Sequence, residues 1–164
     1  MNYKYYFNEY EVEIKTNSSG NNIKVKSKNN SPCNKFSSPE TESKPKIYII
    51  KSSNSIVYIG KTNQSITSRL RKGLNPNHSN GYHGYKWKNN ENIKILCITI
   101  ESDNEFGDIE LESIEAELVY NYRNNTGSWP LSQTEIHFHN NERIKEFAQE
   151  LFKKIIDKSS KNCT

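Results

Sequence analysis

Apolar residues along the chain fall into alternating runs and a few dense blocks. YYFNEYEVEIK, Tyr5 to Lys15, and NNIKVKSK, Asn21 to Lys28, read as two strands. Between them lies NSSGNN, where Asn and Gly supply the positive φ a hairpin needs, so residues 1–28 are expected to form an appended β-ribbon. NNSPCNKFSSPETESK, from Asn29 to Lys44, has almost nothing to bury, and a linker is expected over 29–45.

The densest apolar pattern begins with KIYII (46–50), the interval KSSNS and IVYIG (56–60). A hairpin symmetric about Ser53 would set Tyr48 opposite Tyr58, Ile47 opposite Ile59 and Ile49 opposite Val57. Four aliphatic residues would then share one face, and the two tyrosines would share the other with Ile50 and Ile56. Next, SITSRLRKG offers Ser65 as an N-cap, Ile66 and Leu70 as the inward face of a short helix, and Gly73 as its stop. NIKILCITIE, from Asn92 to Glu101, is a strand by its β-branched density.

From Asp108 onward Leu111, Ile114, Leu118, Val119 and Tyr122 recur at helical spacing until Asn124-Asn125-Thr126-Gly127. WPLSQTEIHFH predicts a short strand with His137 and His139 on its outer face, and residues 141–158 predict a last amphipathic helix. These elements make an α+β (α/β) fold: a short mixed or antiparallel sheet flanked by helices, with a core over 46–140 and a C-terminal helix and tail over 141–164.

Composition narrows the function classes. Hydrophobic residues are 32% of the 164, so the core must come from the few dense segments. Net charge is +4, and Lys61, Arg69, Arg71, Lys72, Lys86 and Lys88 fall in a 28-residue stretch without Asp or Glu. Tyr82, Tyr85 and Trp87 are interleaved with those cations, which suits a polyanionic partner as well as a solvated basic face. Three widely separated cysteines form neither a disulfide framework nor a zinc motif, and no apolar run approaches a membrane span. A cytoplasmic protein with no membrane contact is expected.

The order Lys46-Ile47-Tyr48, then Tyr58-Ile59-Gly60 after nine residues, Lys61, Arg69-Leu70 and finally Glu115-Ala116-Glu117-Leu118-Val119 resembles the GIY-YIG nuclease family. The likeness runs over residues 46–134 and extends to the family's small restriction endonucleases and phage endonuclease II. Three positions depart from the pattern. Lys46 replaces the first-motif glycine, and Gln133 stands at the late asparagine. Gly73 takes the place where some members carry a histidine, a role that His78 or His83 could fill only by loop placement.

The resemblance implies a Mg²⁺- or Mn²⁺-dependent endonuclease acting on double-stranded DNA. Phosphodiester hydrolysis needs a deprotonated water in line with the leaving oxygen and stabilisation of charge on phosphorus. A phenol, with a pKa of about 10, can take the water's proton only beside cations, for which Lys61 and Arg69 are the candidates. Tyr48 and Tyr58 are both candidate bases; Tyr48 is favoured, with Tyr58 orienting water or phosphate. Arg69 would grip the phosphate with its planar fork. Glu115, on the border of a buried helical stripe, would hold the metal together with phosphate oxygens and waters.

Arg71, Lys72, His78, His83, Tyr85, Lys86, Lys88 and Gln133 are expected to contact DNA, the loop 74–91 being available for specificity. Cutting both strands favours a homodimer or larger assembly. Restriction-type or phage-type cleavage of host DNA leads the functional readings. A catalytically inactive DNA-binding module and a nuclease selective for branched structures are the alternatives.

Overall fold

A computed structural model describes residues 3–18, 20–53, 55–76, 84–101, 107–134 and 136–161, with side chains to 158. The strands are β1 (Lys4–Asn17), β2 (Gly20–Lys28), β3 (Ser31–Pro32), β4 (Lys46–Ser52), β5 (Ser55–Thr62) and β6 (Asn92–Glu101). Among the described residues the helices are α1 (Ile66–Leu74), α2 (Asp108–Thr126) and α3 (Glu142–Lys161), with a 3₁₀ turn at Lys86–Asn89. All strand pairs are antiparallel, in the order β3-β2-β1-β6-β4-β5, which gives an α+β fold.

β6 is the reason the sheet holds together. Paired on both sides and covered on both faces, it has no solvated side, so its sequence is an almost unbroken apolar run rather than an alternation. On one face Ile47, Ile49, Ile59, Leu96 and Ile98 pack under Leu111, Ile114 and Leu118 of α2 and Phe147, Leu151 and Ile155 of α3. On the other, Tyr10, Val12, Tyr48, Ile50 and Ile95 pack under Ile66, Leu70 and Leu74 of α1 and under Tyr85 and Trp87. Each fully buried aliphatic side chain contributes about 1.5–3 kcal/mol.

Several expectations change. The N-terminal ribbon is not appended: β1 pairs with β6 from Lys4–Glu101 to Glu13–Asn92, because Tyr10, Val12 and Ile14 supply one face of the common sheet. The segment expected as a linker is a packed strap. Phe36 lies 4.8 Å from the Tyr10 ring, and the buried Glu40 carboxylate accepts from the Tyr10 hydroxyl at 2.7 Å and Asn8 at 2.9 Å. Its backbone also reaches α1, where the Glu40 carbonyl accepts from Ile66 N–H at 2.9 Å.

The β4–β5 register differs as well. Tyr48 lies opposite Gly60, Ile49 opposite Ile59 and Ile50 opposite Tyr58, with a bulge before Lys51–Ile56. Val57 is the extra residue, which breaks the alternation: Ile56 joins the α2/α3 face, and Val57 joins Tyr48 and Tyr58 on the other. The described residues after Pro130 do not form the short strand expected there. Ser132 N–H donates to the Val57 carbonyl at 2.8 Å, and the Gln133 amide oxygen accepts from Ile59 N–H at 3.2 Å. That covers the open edge of β5 without a ladder.

The helix signals read from the sequence hold at most ends. Ser65 caps α1 by accepting from Ser68 N–H at 3.2 Å, and Asn141 caps α3 through Ile144 N–H at 3.3 Å. Gly127, at φ +79°, closes α2 in the left-handed conformation. Gly73 does not stop α1, which runs one residue further to Leu74. Among the described residues no helix is long and apolar enough to cross a membrane.

Candidate functional site

The site lies at the β5 edge of the sheet, where α1 from one face and α2 from the other approach each other. Asn63, just after β5, hydrogen-bonds Asp108 in the first turn of α2 and ties the two sides together. β4 places Tyr48 under α1, fully buried, with its ring leaning across Gly60. The Val57 bulge re-aims β5 so that Tyr58 lands beside it, ring centroids 5.9 Å apart. The two phenols therefore share a face because of the bulge, although they are not direct cross-strand partners.

α1 turns Ile66, Leu70 and Leu74 inward, which leaves Arg69 on the flank facing the tyrosines. Its Nε–H donates to the Tyr48 hydroxyl oxygen at 3.1 Å, and its guanidinium lies 5.7 Å from the Tyr85 ring centre. With Nε engaged, the two terminal nitrogens of the fork can face an anion.

Tyr85 reaches the same point from the segment before the 3₁₀ turn. Its hydroxyl is 2.8 Å from that of Tyr48, its ring stacks on Trp87 at 4.4 Å, and its N–H donates to the Gly73 carbonyl at 2.9 Å. A Cβ on residue 73 would fall inside the Tyr85 ring. Gly73 is thus the opening through which Tyr85 enters the site. Tyr85 was expected as a DNA contact on a loop; it is buried, and its hydroxyl bonds Tyr48.

Glu115 comes from α2, on the border between its buried and solvated faces. Burial pushes its carboxyl up to about 7, a rise opposed by the charges of Lys61 and Arg69 and increased by Glu112. Tyr58 feels the Glu115 charge in turn. These mutual influences put Glu115, Lys61, Arg69 and Tyr58 in one electrostatic neighbourhood. The three-residue spacing brings Glu112 to the same side of α2, and its carboxylate lies 3.2 Å from His139 Nε2.

Burial holds both phenols well above their usual range, with Arg69 opposing the rise in each case. A buried neutral phenol is a weak base, so proton acceptance at Tyr48 depends on the Arg69 hydrogen bond and on whatever else stabilises the phenolate. Glu115 is an enclosed carboxylate whose charged form burial disfavours, which is the environment a cation would relieve. Among the described residues no three His, Cys, Asp or Glu cluster into a cage. The donor set therefore fits a hard cation that keeps most of its water and takes one carboxylate from the protein.

The remaining expected residues scatter. Arg71 and Lys72 are exposed on α1, and Arg71 helps line a groove of about 460 Å³ between α1, β2 and the strap, with Lys35, Asn22 and Thr67. Lys86 is exposed and Lys88 half-buried around Trp87. Gln133 braces β5 at Ile59, immediately before Gly60. His78 and His83 lie outside the described residues. The Glu112–His139 pair gave no periodic or spacing signal that would have marked it.

A family model described as the GIY-YIG catalytic domain matches residues 44–127, just over half of the chain. No curated protein and no solved structure matches.

Proposed function

The chain belongs to the GIY-YIG nuclease family, and on that premise we propose that it is a Mg²⁺-dependent endonuclease that cuts double-stranded DNA. Mn²⁺ would serve in its place. The observation that supports this reading is the placement of Arg69 between the Tyr48 phenol and the electrostatic reach of Glu115. Arg69 bonds the phenol directly, and its charge reaches the carboxylate.

In this reading Arg69 takes the scissile phosphate with its terminal nitrogens while Nε keeps Tyr48 in place. Tyr48 accepts the proton of the attacking water, and Tyr58, less buried, orients that water or the phosphate. Lys61 adds positive charge beside Glu115. Glu115 would hold the divalent cation, which supplies charge neutralisation at the phosphate when bound. In the free chain Tyr48 is fully enclosed, so the side chains around it have to part on phosphate binding, with the Arg69 Nε bond kept, before water reaches the phenol.

DNA beyond the cleaved phosphate would run over the exposed cations Arg71, Lys72 and Lys86, with Lys88 beside them. His78, His83 and Gln133 remain candidate contacts. Cleavage of both strands calls for two sites, and a homodimer supplies them. A restriction-type or phage-type role in the cytoplasm fits a small enzyme of this kind.

Supercoiled plasmid incubated with Mg²⁺ or with EDTA tests the reading. Metal-dependent nicking and linearisation support it. Tight binding without cleavage would instead identify an inactive DNA-binding module, and preference for a branched duplex a structure-selective nuclease.

A further inference from the structure

Tyr85 stands outside the residues to which the proposed chemistry assigns a role, yet its hydroxyl touches the proposed base. We infer that Tyr85 is a positioning residue for the hydrolysis, a rotatable hydroxyl that accepts from Tyr48 while Tyr48 is neutral and donates to the Tyr48 oxygen when that oxygen is the base. The inference rests on the reading of Tyr48 as the group that takes the water's proton.

Four observations converge on it. The two hydroxyls are 2.8 Å apart in a buried setting, and the geometry allows either to donate. Arg69 Nε–H already occupies one acceptor position of the Tyr48 oxygen at 3.1 Å, so Tyr85 can supply the second donor that a phenolate needs. The Tyr85 ring is fixed by stacking on Trp87 at 4.4 Å and by its own N–H on the Gly73 carbonyl at 2.9 Å. Finally, α1 carries a glycine where any larger residue would exclude the ring. Phe would fill the same volume, so the hydroxyl aimed at Tyr48 adds a hydrogen bond to the proposed base beyond what packing requires.

The proton count is simple. Tyr48 first loses its phenolic proton to solvent; as the water oxygen then bonds to phosphorus, the bond from phosphorus to the leaving oxygen breaks, the water's proton goes to the Tyr48 phenolate, and the leaving oxygen takes a proton from solvent. Tyr85 keeps its own proton throughout and only turns its hydroxyl. The titratable groups facing Tyr48 are Tyr58 from β5, Arg69 from α1, Tyr85, and the buried thiol of Cys97, its partner on β6. Two phenols in contact lose their first proton as a pair and hold the second more tightly.

The test is Tyr85→Phe, which removes one oxygen and keeps the ring. Plasmid nicking in Mg²⁺ should slow by about 10- to 100-fold, with its rise shifted to higher pH. Plasmid affinity measured with Ca²⁺ in place of Mg²⁺ should change by less than about two-fold and Tm by no more than ~3 °C. Gly73→Ala, which displaces the ring, should lose at least as much rate. A readout independent of turnover is tyrosinate absorbance during alkaline titration, where the buried pair of wild type should lose its first proton at lower pH than Tyr48 does in Tyr85→Phe.

Unchanged rate and pH profile in Tyr85→Phe would overturn the inference. So would a buried tyrosine that ionises at the same pH in both proteins, even if wild type proved unable to cut DNA. Failure of the nuclease reading itself would look different: wild type and Glu115→Gln would be equally inert in Mg²⁺.

Discussion

Tyr48 stands opposite Gly60 across the β4–β5 pair, and its ring occupies the space a side chain there would fill. A Cβ on residue 60 would lie 2.5 Å from Tyr48 Cζ, 2.6 Å from its hydroxyl oxygen and 2.6 Å from Tyr58 Cε1. Both rings are held by the core, so neither can step aside cheaply. Gly60→Ala should therefore displace the phenol from Arg69 and lower cleavage by about 100-fold or more. Plasmid nicking and thermal melting measured together would check this, because a misplaced phenol costs rate well beyond any fall in Tm.

Arg69 Nε holds Tyr48, and in the proposed mechanism its terminal nitrogens face the phosphate, two tasks that Lys cannot combine. Arg69→Lys should cut nearly as poorly as Arg69→Ala, each slower by about 10²–10³-fold, despite the retained charge. Single-turnover rates of both variants on plasmid would decide it; a Lys variant near wild type would show that charge alone suffices.

Glu115 gives a pH dependence with a definite sign. Its folded value, about 7, is above the ordinary 4.5, so the folded chain holds the proton longer than the unfolded chain does. The stability it contributes is fully present below about 4.5 and is lost as pH rises through about 7. Glu115→Gln should remove that slope and melt higher than wild type at pH 8, while abolishing cleavage. Melting curves across this range, without added metal, check the sign; a variant less stable than wild type at pH 8 would contradict it.

Lys46 occupies the first-motif glycine position and is fully buried. Its ammonium donates to the carbonyls of Glu42 at 2.6 Å, Lys44 at 2.7 Å and Gln64 at 3.4 Å, which clamps the strap to the turn leading into α1. Burial lowers its pKa, but these acceptors keep a place for the charge. Lys46→Met should destabilise the fold by about 2–4 kcal/mol and leave the rate per folded molecule within ~3-fold. Urea unfolding together with active-fraction-corrected nicking would separate the two effects.

Much of the site was legible because its residues carry local signals. Ser65 and the inward pair Ile66 and Leu70 orient α1, and so Arg69, from sequence alone; the α2 stripe does the same for Glu115. The hairpin strands were legible, but their register was not, because a bulge at Val57 leaves no mark in an apolar run such as IVYIG. The strap was hidden for a related reason. A polar stretch is anchored by one ring, Phe36, and one buried carboxylate, Glu40, whose partners lie far away in sequence. Tyr85 was the largest misreading. Its approach depends on Gly73, and a glycine at a helix end reads locally as a stop, not as room for a side chain from elsewhere.

Metal-directed backbone cleavage tests the central claim most directly. Fe²⁺ loaded in place of Mg²⁺, with ascorbate and peroxide, cuts the polypeptide next to wherever the cation sits, and the fragments can be placed by mass. The account predicts cuts in α2 around Glu115 and in the neighbouring β5 and α1 segments near Tyr58 and Arg69, all lost in Glu115→Gln. Cuts confined to other parts of the chain, or an unchanged pattern in the Gln variant, would mean that the carboxylate and the Tyr48–Arg69 pair do not serve one phosphate.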